Sequence, residues 1–209
     1  MVSGTTPGNI EYNGSLELFR DGNVFTGSFH SKEIGDRTCT GLIVDGRLVL
    51  GRSRRQTRPG IVRYTLAQSG DLEALWNNAG IEGLVATGRA RHLGPEVLGG
   101  APHLAGTRPI TYFDVDGKAL EPPDLSLTVL HEAPTYRLSW NDRSSGEALF
   151  SGVGLEITNG MVSAWDEASA YLELDVLIVT PRGDGPGQSA HPVWASSGSA
   201  GIGTEKINR

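Results

Sequence analysis

Ser15-Leu16-Glu17-Leu18-Phe19 and Ser126-Leu127-Thr128-Val129-Leu130 are two copies of one short pattern. From this anchor the register runs on without a gap. Val24-Phe25-Thr26-Gly27-Ser28-Phe29 falls on Thr135-Tyr136-Arg137-Leu138-Ser139-Trp140, Gly35 on Gly146, and Thr40-Gly41 on Ser151-Gly152. After a short insertion, Gly46-Arg47-Leu48-Val49-Leu50 sits over Gly160-Met161-Val162-Ser163-Ala164. Further on, Leu75-Trp76 matches Val193-Trp194, and Gly80-Ile81 matches Gly201-Ile202, each soon followed by a glutamate, Glu82 or Glu205. Identities are few, but residue type is kept, as in Phe25 with Tyr136 and Phe29 with Trp140. Several blocks in the same order identify an internal duplication.

Each copy reads as strands. Leu16/Leu18 alternate with Glu17/Phe19, and Phe25/Gly27/Phe29 with Thr26/Ser28/His30, the period of a half-buried strand. Asp45-Gly46 and Asn159-Gly160, set between apolar runs, predict hairpin turns. Ile61 to Leu66 and Leu174 to Val179 are β-rich runs. Leu72, Leu75, Trp76 and Ala79 fall at helical spacing, but the matching stretch around Trp194 contains Pro192 and many Ser and Gly. A helix tolerates those poorly, so both are taken as strands. The expected fold is all-β: an antiparallel meander of two homologous six-strand repeats, about a dozen strands in all. They would form one pseudo-twofold barrel or sandwich, or two small barrels. The expected units are a first repeat (1–91), a Pro/Gly-rich bridge (92–122) and a second repeat (123–209). Ile110 to Val115 is a strand-like piece within the bridge that would tie the halves together.

Composition narrows the function. In 209 residues, 29 are Gly and 11 Pro, spread without a period, which reads as turns between short strands. The net charge of −6 disfavours nucleic-acid and polybasic membrane-surface partners. No apolar run approaches a membrane span, and the N-terminus shows no secretory signal. With one cysteine, Cys39, a cytoplasmic setting is the simpler expectation.

Tyr12-Asn13-Gly14 leading into Val24-Phe25-Thr26-Gly27-Ser28-Phe29-His30-Ser31 resembles the calycin group, the lipocalin-like and avidin-like barrels. The chain departs from that group in being duplicated, with each repeat shorter than an eight-stranded barrel. The resemblance transfers no functional residue. It implies a pocket at a barrel mouth for a small, largely apolar molecule.

No phosphate loop, dinucleotide fingerprint, nucleophile elbow or zinc-protease motif is present. Neither a metal nor an organic cofactor is expected. Asp114-Val115-Asp116-Gly117 lacks the distal glutamate of a calcium loop and reads as a turn. Cys39 lies in a strand-like stretch and reads as a small buried side chain rather than a nucleophile. The histidines, His30, His92, His103, His131 and His191, show no ligand spacing within one strand.

Trp76 and Trp194 each precede a Gly-Ile and a glutamate. A buried aromatic beside a carboxylate raises its pKa toward neutrality, so Glu82 and Glu205 are the candidate acid-base pair. Tyr64 and Trp140 are candidate pocket walls with the two tryptophans. The copies differ most in charge. Arg52, Arg54 and Arg63 mark a basic stretch where the second copy is acidic, from Asp166 to Asp175. Arginine forks bind anions, so these three are candidate ligand contacts, although the two stretches could instead pair with each other or stand in solvent.

The leading expectation is a cofactor-independent enzyme, an isomerase, cyclase or hydratase working by acid-base chemistry in a β-barrel pocket. Its substrate would be a small apolar or aromatic molecule, with an anionic group if the arginines take part. One alternative is a non-catalytic module binding a small molecule or glycan. Another is an assembly protein, such as a homodimer, using the complementary charged loops.

Overall fold

The computed structural model describes residues 1–54, 59–78, 83–93, 103–120, 124–169, 174–180, 189–190 and 192–208. They form strands β1 (Val2–Thr5), β2 (Glu11–Asp21), β3 (Val24–His30), β4 (Arg37–Val44) and β5 (Arg47–Ser53). Next come β6 (Gly60–Leu66), β7 (Leu72–Asn77), β8 (Ala86–Ala90) and β9 (Gly106–Phe113). The second copy begins with β10 (Leu125–Glu132), β11 (Thr135–Asp142), β12 (Ala148–Ile157) and β13 (Gly160–Glu167). The last strands are β14 (Leu174–Val179), β15 (Ser189–Ala190), β16 (Val193–Ser196) and β17 (Ser199–Asn208). Of the stretch with helical spacing, Leu72, Leu75 and Trp76 lie on strand β7 and Ala79 falls outside the described residues, and the bridge's strand-like piece lies largely within β9. No helix among the described residues is long and apolar enough to cross a membrane.

All pairings are antiparallel, and they close two barrels. The first runs β1-β2-β3-β4-β5-β14-β16-β17 and back to β1, with β15 in line with β16 along β17. The second runs β6 through β13, closed by β9 against β10. Two barrels, rather than one barrel or sandwich, is therefore the outcome. Each has eight strands, more than six per repeat, because each barrel draws on both copies. The first copy supplies β2 to β5 to one barrel and β6 to β8 to the other. The second copy supplies β10 to β13 and then crosses back with β14 to β17. Bridge strand β9 fills the gap beside β8 that β1 fills beside β17.

The barrels pack side by side through β4, β5 and β14 on one side and β6, β12 and β13 on the other. Val49, Val176 and Ile178 meet Ile61, Val162 and Ala164 in this seam. Seam strands are buried on both faces, so every residue of Leu174–Val179 is buried, and Asp175 is its one charged member. Strands away from the seam keep the alternation, as in β8.

Glycine serves a second purpose beyond the expected turns. Trp194 pairs directly with Gly203, Trp165 with Gly60, Tyr112 with Gly88 and Tyr12 with Gly4. In each pair the aromatic side chain occupies the space where a Cβ would stand. Large rings can thus lie flat inside a narrow barrel, which explains why many glycines sit within strands.

Both predicted hairpins form, but with different turns. Asp45 and Gly46 are both left-handed, at φ 49° and 74°, and Val44 pairs with Arg47. In the second copy Ile157 pairs with Gly160, so the loop is Thr158-Asn159 and only Asn159 is left-handed there. This one-residue shift changes which side chains face inward. Leu48 and Leu50 lie in the first barrel's core with Arg52 following, whereas Met161 and Trp165 lie in the second's. The structural counterpart of Arg52 is consequently Trp165, not Asp166.

Candidate ligand pocket in the second barrel

At one end of the second barrel the strands converge on a cavity of about 220 Å3. It lies where β7, β9, β11 and β13 finish and where β10 and β12 begin. Trp76, Trp140, Trp165 and Phe150 supply most of its wall, and Leu120 and Leu125 complete the apolar lining. Trp165 stands 6.4 Å from both Trp76 and Trp140 by ring centroids and 5.2 Å from Phe150, edge-on to Phe150 and Trp76. Such edge contacts are favourable arrangements of ring quadrupoles. Gly60, opposite Trp165, makes room for this cluster.

Apart from the indole nitrogens, the described lining residues with polar side chains are Asn78 and Tyr112. Tyr112 Oη accepts a hydrogen bond from Trp140 Nε1 at 2.6 Å and shares another with Tyr64 Oη at 2.5 Å. Tyr64 is fully buried behind the wall. Burial raises the pKa of both phenols, so they stay protonated at neutral pH. Trp76 Nε1 donates to Thr87 O, which holds its ring against β8. The opposite end of this barrel is stopped by Arg108, which is 2% exposed. Its guanidinium donates to the carbonyls of Gly70, Leu104 and His103.

The equivalent slot of the first barrel is full. Phe29 and Trp194 hold the positions of Trp140 and Trp76, as cross-strand partners of Leu16 and Leu177, where the second barrel has Leu127 and Val62. Arg52, 1% exposed, lies between these rings, 4.9 Å from each centroid. Arg52 Nη1 donates to Glu205 Oε1 at 2.5 Å, and Tyr12 Oη donates to the same oxygen. Asp175 Oδ2 lies 3.5 Å from Arg52 Nε and 3.6 Å from Arg37 Nε. Burial alone would lower the guanidinium's pKa, but Glu205 and Asp175 outweigh it and hold Arg52 more firmly charged. Burial raises the pKa of Asp175, against the pull of Arg52 and Arg37.

The sequence candidates therefore separate. Trp76 and Trp140 line the cavity, and Tyr64 stands behind it. Trp194, Arg52 and Glu205 belong to the other barrel's interior. Arg54 donates to the Ile34 carbonyl, and Arg63 pairs with Asp45 at 3.2 Å on the outside. Glu82 lies outside the described residues, as do His191 and parts of both charged loops. Where they are described, the basic and acidic stretches meet within the chain: Arg52 faces Asp175, and Ser53 donates to Asp166 at 3.0 Å. Tyr112, Phe150 and Trp165 were not among the candidates. Tyr112 lay in the bridge, and Trp165 opened a segment that read as acidic. Among the described residues no His, Cys, Asp or Glu cluster is arranged to hold a metal ion. Asp114 caps a turn, accepting from the backbone of Asp116 and Lys118.

Cys39 is buried at 1% exposure, and burial pushes its thiol up to about 12. An aromatic disulfide reagent at neutral pH should titrate no thiol in the native protein and one after unfolding. Rapid reaction of the native protein would contradict this placement.

Comparison with models of protein families, with curated proteins and with solved structures finds no match to this chain.

Proposed function

We propose that this protein binds a small, largely apolar molecule in the aromatic mouth of the second barrel. The carrying observation is the cavity itself: three tryptophans and a phenylalanine around a space whose described lining is mostly apolar. Concave, mostly apolar sites with few placed polar groups are the usual form of small-molecule sites. An apolar cavity of roughly 150 Å3 takes benzene, so this one suits a molecule of about two fused rings. The closed barrels and the mouth pocket support reading the chain as a duplicated calycin-like protein.

Binding without chemistry is the better-supported version. The described lining offers no carboxylate or imidazole, and Glu205 is committed to Arg52 and Tyr12 in the other barrel. A cofactor-free isomerase, cyclase or hydratase using the expected carboxylate pair would need a carboxylate beyond these residues. An assembly role gains less support, because Arg52 and Asp175 face each other inside one chain.

Calorimetric titration with naphthalene tests the reading. The wild-type protein should bind it, and Leu120→Trp, which fills the cavity from its partly exposed rim, should weaken binding by about tenfold or more. Absence of binding to the wild type, or unchanged binding to the variant, would refute the site.

A further inference from the structure

The phenol at the cavity wall has hydrogen-bonding capacity to spare. A phenolic hydroxyl carries one proton and accepts two bonds. Tyr112 Oη accepts from Trp140 Nε1, which can only donate. The remaining question is the direction of the bond between Tyr64 and Tyr112. If Tyr112 donated, the Tyr64 proton would be left without an acceptor among the described residues, deep in a fully buried site. A buried donor without a partner is costly. If Tyr64 donates, the spare proton belongs to Tyr112, the one of the two that lines the cavity and can meet an occupant.

The first barrel supplies the contrast. There the same slot holds a cation, and Glu205 and Asp175 neutralise it. In the second barrel Gly88 and Gly60 occupy those ladder positions. Each is overlaid by a ring, Tyr112 or Trp165. Neither a carboxylate nor a basic group is found among the described lining residues. A charged occupant would lose its hydration without gaining a counter-charge from the described lining residues.

We propose that Tyr112 donates its hydroxyl proton to an oxygen of the bound ligand, which is a neutral, planar molecule bearing a carbonyl or similar acceptor. This rests on the pocket reading above and names the chemistry of its occupant. Trp140 and Tyr64 are positioning residues: their bonds to Tyr112 Oη direct its proton toward the cavity.

A matched pair of probes tests it: 2-acetylnaphthalene and its alkene isostere 2-isopropenylnaphthalene, titrated calorimetrically into the full chain. The wild type should prefer the ketone by about three- to tenfold, the net worth of one neutral hydrogen bond. Tyr112→Phe should erase that preference, and a far-ultraviolet circular dichroism spectrum matching the wild type's shows that the variant is folded. Tyr64→Phe should reduce the preference without abolishing it. 2-Naphthoate, the same ring system with a charge, should bind more weakly than either probe to the wild type. An unchanged ketone preference in Tyr112→Phe, or tighter binding of the naphthoate, would overturn the proposal. If the wild type binds ketone and alkene equally, the pocket stands and the donor role falls. If it binds neither, the pocket reading falls as well.

Discussion

Glu205→Gln is expected to destabilise the protein by about 3–5 kcal/mol, the usual cost of removing one partner from a buried ion pair. In a chain of this length that lowers Tm by roughly 10 °C. The reason lies in the first barrel's interior. Arg52 is 1% exposed, and its closest charge-bearing partner is Glu205 at 2.5 Å. Asp175 is farther away and is shared with Arg37. Without the Glu205 charge, two guanidiniums would face one carboxylate in a site largely closed to water. Glutamine keeps the size and can still accept from Tyr12, so the loss isolates the charge. The double variant Arg52→Met/Glu205→Gln removes both charges and keeps an acceptor for Tyr12, so it should recover most of the loss, because replacing a whole buried pair by uncharged side chains is often neutral. Chemical denaturation of wild type, single and double variants checks both statements. A single variant within about 1 kcal/mol of wild type would show that the pair contributes little.

Gly60→Ala is the second large effect. The Gly60 backbone is not left-handed, so alanine brings no conformational strain there. The added Cβ would overlap the Trp165 indole, which lies directly across the strand pair. Trp165 must leave its place between Trp76 and Trp140, or the strands must part. Overpacking of this kind costs about 1–3 kcal/mol. It should also abolish naphthalene binding, since Trp165 forms a wall of the cavity, and change the near-ultraviolet circular dichroism of the tryptophan cluster. Gly60→Ala combined with Trp165→Leu relieves the overlap and should regain stability but not the aromatic signal. A wild-type spectrum and affinity in Gly60→Ala would refute the packing described.

Much of the scaffold was readable from local pattern. The matches of Phe29 with Trp140 and of Trp76 with Trp194 are structural equivalents, because cross-strand partners constrain the size of inward residues in both copies. The same logic failed across the hairpins. Aligning Asn159-Gly160 on Asp45-Gly46 is sound for sequence, yet the two turns use different loop residues, and a single-residue shift set Arg52 opposite the wrong counterpart. The pocket was only half legible. Trp76 and Trp140 stood out as large aromatics, whereas Tyr112 and Trp165 gained their meaning from Gly88 and Gly60, the partners that make room for them.

Periodicity, turn residues and the repeated blocks were enough to determine an all-β, duplicated chain, because each depends on neighbours a few residues apart. Which strands close together was decided only in three dimensions. After β5 and again after β13 the chain crosses from one barrel to the other, so each barrel joins strands from both copies. That exchange carries Arg52 to Asp175 and Glu205, and Trp165 to Gly60 and Trp76. The physical reason is that barrel closure and buried charge pairing depend on contacts between residues far apart in the chain, 153 positions in the case of Arg52 and Glu205. No local pattern records such contacts.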